Sequence, residues 1–75
     1  MDGIEKVLLS VPDMTCTHCV NAVSKVLKQL NGVEKFKVSL KNKTIIVEYD
    51  KYKVSLVDIK LRLKEKGYSS TVTPQ

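Results

Sequence analysis

Apolar and polar positions along the chain switch between two periods. Ile4 to Val11 alternates, with Val7, Leu9 and Val11 on one face, which predicts a half-buried strand. Pro12, which lacks a backbone donor, ends it together with Asp13. From Thr17 to Asn31 the apolar positions are Cys19, Val20, Ala22, Val23, Val26, Leu27 and Leu30. Spacings of three and four leave Asn21, Ser24, Lys25, Lys28 and Gln29 facing water, so an amphipathic helix is expected, stopped by Asn31-Gly32. The two-residue period then returns twice. Val33 to Leu40 sets Phe36, Val38 and Leu40 against Lys35, Lys37 and Ser39. Thr44 to Tyr49 sets Ile45, Val47 and Tyr49 on one face, and the polar turn Lys41-Asn42-Lys43 makes the pair a hairpin. After a connection from Asp50 to Lys53, Ser55 with Asp58 three residues on signals a helix start, and Val54 staples it. Leu56, Val57, Ile59 and Leu63 form its inward stripe, Lys60, Arg62, Lys64 and Lys66 stay wet, and Gly67 ends it. Tyr68 to Val72 is a short final strand, followed by a tail from Thr73 to Gln75.

The order is β-α-β-β-α-β. Right-handed crossovers place both helices on one face of a four-stranded antiparallel sheet, so the predicted class is α+β, a ferredoxin-like sandwich. That arrangement hosts many activities, and function must be argued from a site.

A chain of 75 residues, 43% of them hydrophobic, is expected to be one domain spanning residues 1–75. At this size only about 60% of the unfolded chain's surface is buried, which leaves no room for a deep pocket with a lid. A surface site is expected, and no enzymatic activity. Lysine and arginine exceed aspartate and glutamate by 13 to 8, a net charge of +5 that suits an acidic partner. No apolar stretch approaches the roughly 20 residues of a membrane helix, so no membrane insertion is expected. The N-terminus carries no export-signal pattern, which makes the cytoplasm the expected compartment. Thiols stay reduced there, and two cysteines then point to metal or redox chemistry before a structural disulfide.

Both cysteines, the only histidine and one of two methionines fall within Met14-Thr15-Cys16-Thr17-His18-Cys19. This stretch joins the first strand to the first helix. Amide groups and the dipole of the opening turn favour thiolate there, lowering the pKa of one or both cysteines. Soft sulfur ligands select Cu(I), and to a lesser degree Zn(II), Cd(II) and Hg(II). A closed zinc site wants four protein ligands, whereas two cysteines and one histidine fall short. Cu(I) accepts two near-linear sulfurs and leaves room for a third ligand from a partner.

The MxCxxC pattern after strand one, Asn31-Gly32-Val33 after helix one, Val54-Ser55 opening helix two and Gly67-Tyr68 after it resemble the heavy-metal-associated domain. The likeness covers residues 4–72 and is greatest to small bacterial copper chaperones. It implies delivery of Cu(I) to a heavy-metal-transporting P-type ATPase by thiolate exchange, with Cys16 and Cys19 as ligands. It also implies that Met14 packs beneath the loop without binding, that His18 tunes the pair from outside, and that Tyr68 lies beside the metal. One position departs from the family: glycine usually precedes the methionine, and here Asp13 does, a residue that tolerates left-handed backbone geometry better than most.

Two other functions fit parts of the sequence. A thiol–disulfide protein would also place CxxC at a helix start, but the element order is wrong, tryptophan is absent and Pro74 lies too near the end to oppose the thiols. An RNA-binding module would need exposed aromatics on its central strands. Phe36 and Tyr49 instead fall on the inward face, so no nucleic-acid partner is expected. Among metals, the acidic residue that zinc and cadmium relatives often carry before the first cysteine is here Thr15, and mercury carriers are normally exported. The start Met1-Asp2 and the polar end Gln75 favour a free monomeric carrier over a transporter fragment. Metal-bridged dimerisation through facing CxxC loops stays open at the level of sequence.

Overall fold

A computed structural model describes residues 3–73. Met1, Asp2 and the tail residues Pro74 and Gln75 lie outside that range. The elements are β1 (Ile4–Ser10), α1 (Thr17–Gln29), β2 (Val33–Ser39), β3 (Thr44–Asp50), α2 (Leu56–Glu65) and β4 (Thr71–Thr73). All strand pairs are antiparallel, in the order β2-β3-β1-β4, which is the expected ferredoxin-like sheet.

Period-two patterning fixes which face of the sheet is covered. Val7 pairs with Val47 and Leu9 with Ile45, and these four, with Val11 and Tyr49, are buried against the helices. From α1, Val23, Val26 and Leu27 close over them; from α2, Ile59 and Leu63 do. Val33 and Phe36 are three apart yet both pack against this core. A register shift between Val33 and Lys35 inserts the extra residue that reconciles them.

Four expectations need correction. Leu40 is 36% exposed, because β2 ends at Ser39 and the Leu40 carbonyl accepts from the Lys43 amide to close the turn. Val57 is 63% exposed: it sits at the second position of α2, one step off the Ile59–Leu63 stripe. The first helix stops at Gln29, with Leu30 as its C-cap, two residues short of the expected end. The last strand runs Thr71–Thr73 instead of Tyr68–Val72. Tyr68 is taken up by the end of the preceding helix and Ser69 by a bond to Asp13 ahead of the CxxC loop.

Both ends of α2 are built from local signals. Ser55 Oγ accepts from the Asp58 amide at 3.1 Å while Asp58 Oδ2 accepts from the Ser55 amide at 3.3 Å, a reciprocal capping box. At the far end Gly67 takes φ +92, its amide donates to Lys64 O at 2.9 Å, and the Tyr68 amide donates to Leu63 O at 2.9 Å. This pair of bonds is the Schellman stop, and it presents Tyr68 just beyond the helix. No helix among the described residues is long and apolar enough to cross a membrane.

Candidate metal centre

Three loop anchors fix the site. The Val11 amide donates to Lys43 O at 2.8 Å and the Met14 amide to Val11 O at 3.0 Å, so the chain turns tightly as it leaves β1. Met14 is fully buried in the core, where its flexible thioether fills space under the loop. Cys16 then occupies the N-cap position of α1 with φ −152 and ψ 172, and its carbonyl accepts from the Cys19 and Val20 amides at 3.0 and 3.2 Å. A thiol stands where serine or aspartate would ordinarily cap, and no side-chain cap forms. The opening turn also contains no acidic residue.

Cys16 is exposed and Cys19 half-buried; both are free, with their sulfurs 3.4 Å apart. The Cys19 thiol is held well below the ordinary thiol range, at about 6. The leading cause is the Tyr68 hydroxyl as a donor to its sulfur. Next come the Thr15 backbone amide and the Cys16 thiol, with a small opposing push from burial and a last contribution from the Cys16 amide. Tyr68 is raised in turn, chiefly because its proton is engaged by Cys19. Helix-start amides were the expected cause of thiolate formation. The amides that contribute are those of Thr15 and Cys16, just ahead of the first helical residue, and a tyrosine forty-nine residues along the chain contributes more.

His18 lies in the same turn, exposed, and among the described residues no three of histidine, cysteine, aspartate and glutamate gather into a metal-binding cluster. Cys16 and Cys19 therefore stand as a pair of sulfurs with one face open to solvent. Asp13 does not need its tolerance of left-handed geometry: Lys43, at φ 55, is the one non-glycine residue with positive φ among the described residues. Its carboxylate instead accepts from the Ser69 amide at 3.2 Å, a link that sequence reading missed. The two lysines at the end of α2 diverge. Lys64 lines a groove with Ser69 and Ser70, while Lys66 faces Ala22, Val26 and Gln29 of α1.

A ferredoxin-like sandwich that presents two adjacent thiols at a helix start, with one of them ionised near neutral pH, defines a small domain suited to soft metal ions. Residues 8–69 match the family described as the heavy-metal-associated domain, and the chain belongs to that family. It is 40% identical over 61 residues to the copper chaperone CopZ of Staphylococcus haemolyticus, covering 81% of this chain and 90% of the relative. Among solved structures it resembles oxidized MerP from Ralstonia metallidurans CH34, with TM-score 0.90, 32% identity and coverage of 95% and 99% of the two chains. It also resembles the Cu(I)-loaded N-terminal domain of a potential copper-translocating P-type ATPase from Bacillus subtilis, with TM-score 0.87, 30% identity and coverage of 92% and 86%.

Proposed function

We propose that this protein is a cytosolic Cu(I) carrier, a single heavy-metal-associated domain that hands its ion to a metal-binding domain of a heavy-metal-transporting P-type ATPase. The observation that carries this reading is the Cys16–Cys19 pair, its sulfurs 3.4 Å apart, with Cys16 exposed, Cys19 poised as thiolate and, among the described residues, no further protein ligand gathered around them. Copper is favoured over zinc because two soft sulfurs satisfy Cu(I), whereas a closed tetrahedral site needs four ligands. CopZ relatives of similar length and the likeness to a Cu(I)-loaded ATPase domain support the cargo and the partner class.

Loading displaces the proton remaining on Cys16 and places the ion between the sulfurs. With metal–sulfur bonds of about 2.3 Å, a near-linear arrangement needs the sulfurs to part from their present separation toward about 4.6 Å. Cys16 is the side chain free to swing, since it is exposed and precedes the first helical residue. Transfer proceeds by exchange. A partner thiolate adds as third ligand and one carrier sulfur leaves; a second partner thiolate then adds and the other carrier sulfur leaves, with Cys16 regaining its proton from solvent. Each step replaces one copper–sulfur bond with another, so no bare ion is released. Met14 supports the loop from beneath, His18 borders the open face, and Tyr68 stabilises the Cys19 sulfur. None of this is catalysis in the enzymatic sense, since the ion is carried and not transformed.

The test is intact-protein mass spectrometry under anaerobic conditions, with Cu(I) and Zn(II) offered together. One copper per chain is expected, lost in Cys16→Ser/Cys19→Ser. A zinc-loaded chain, or copper retained by the double variant, contradicts the proposal.

A further inference from the structure

We infer that Asp13 is a positioning residue: its carboxylate clasps the loop that follows α2 against the CxxC loop and so sets Tyr68 beside Cys19. Tyr68 lies between two fixed amides. Its own amide is held by Leu63 O at the helix stop, and the next amide along, Ser69, is held by Asp13 Oδ2 at 3.2 Å across 56 residues of sequence. The first bond comes from the helix Tyr68 follows. The second comes from the loop that leads into the cysteines, so it ties the backbone beside Tyr68 to that loop, in addition to the hydroxyl's own hold on Cys19.

Asp13 is a firm anchor for this purpose. Val11 and Met14 on either side of the Pro12-Asp13 turn are both fully buried, and the Met14 amide closes the turn onto Val11 O. Backbone conformation does not explain the aspartate, because its φ is not positive and glycine is not required there. Nor does the carboxylate join the thiols in a ligand cluster. Its one hydrogen bond among the described residues goes to Ser69. Glycine in its place would leave the Ser69 amide to water, and Tyr68 would be fixed from one side only.

The clasp stands on the geometry alone; its consequence for copper rests on the carrier function proposed above. A clasped Tyr68 keeps its hydroxyl on the Cys19 sulfur and slows departure of that ligand. Asp13→Gly should therefore weaken Cu(I) retention against a competing chelator and speed its loss.

The experiment compares wild type, Asp13→Gly and Asp13→Asn by amide hydrogen exchange and Tyr68 ring NMR signals, metal-free and reduced, alongside chelator competition for Cu(I). In Asp13→Gly, Ser69 exchange should rise about three- to tenfold, as expected for losing one exposed hydrogen bond to a carboxylate. The Tyr68 signals should shift and Cu(I) affinity should fall by a similar factor. Asp13→Asn, which keeps an oxygen acceptor, should stay near wild type on all three. Unchanged Ser69 exchange in Asp13→Gly overturns the clasp. Faster exchange with unmoved Tyr68 signals and undiminished Cu(I) retention overturns the positioning role. Failure of the wild type to bind Cu(I) would sink the carrier function and leave the NMR signals to decide the clasp.

Discussion

Two residues separate Cys16 from Cys19, yet their surroundings differ. Cys19 faces the Tyr68 hydroxyl, the Thr15 and Cys16 amides and the Cys16 thiol, which together bring its thiol to about 6. An unfolded thiol ionises near 8.5, so ionisation of Cys19 favours the folded state fully above about pH 8.5. That contribution shrinks as pH falls and is gone below about 6. In the metal-free, reduced protein, alkylation at Cys19 followed by peptide mapping should show its rate rising through an inflection near pH 6. Removing the leading donor in Tyr68→Phe should move the inflection upward toward the ordinary thiol range; profiles that superimpose would refute the role given to Tyr68. The sulfurs themselves were legible, since CxxC at a strand-to-helix junction places two thiols on one turn. Tyr68 came only through resemblance to a family, because no local pattern links it to a loop forty-nine residues away. The Asp13–Ser69 bond joins two exposed polar residues and leaves no trace in hydrophobic periodicity.

Helix ends carry most of what the sequence states clearly about individual elements. The Ser55–Asp58 capping box was readable from spacing, because both partners lie within one turn. Gly67 was readable as a helix stop, whereas Gly32, expected to stop α1, lies two residues past its C-cap Leu30. The demands of the two glycines differ in a way only the fold reveals. Both take positive φ, at +92 and +109. A Cβ on Gly67 would meet nothing within 4 Å, whereas one on Gly32 would lie 2.8 Å from Val54 Cγ1 and 2.9 Å from Lys53 Cβ. Gly67→Ala should therefore cost only the left-handed backbone, about 1–2 kcal/mol. Gly32→Ala should add an overpacking cost of about 1–3 kcal/mol, because Val54 is buried and cannot move freely. Urea unfolding measures both; equal destabilisation would show that Gly32 meets no such crowding. Element boundaries were less legible. Val57 sits one step off the inward stripe and Leu40 one residue past the end of β2, yet hydrophobicity alone counts both as core. The final strand was placed too early because Tyr68, Ser69 and Ser70 have strand-compatible side chains. Their amides are committed elsewhere: Tyr68 to the helix stop and Ser69 to Asp13.

For the molecule as a whole, topology converts two distant loops into one site. Strand β1 delivers the cysteine loop to one edge of the helical layer, and α2 runs back to deliver Tyr68 to the same place, which is why the element order was more informative than any single motif. A net charge of +5 on so small a chain favours encounter with an acidic partner domain. The α1 start keeps both sulfurs at the surface, where such a partner can reach them. The central claim is that these two sulfurs, and no other group, hold one Cu(I) for transfer. It is tested most directly by anaerobic titration of a colorimetric Cu(I) chelator complex with wild type, Cys16→Ser, Cys19→Ser and the double variant. One equivalent withdrawn by the wild type, with each single variant strongly weakened and the double variant inactive, is the predicted result. Undiminished withdrawal of copper by the double serine variant would contradict it.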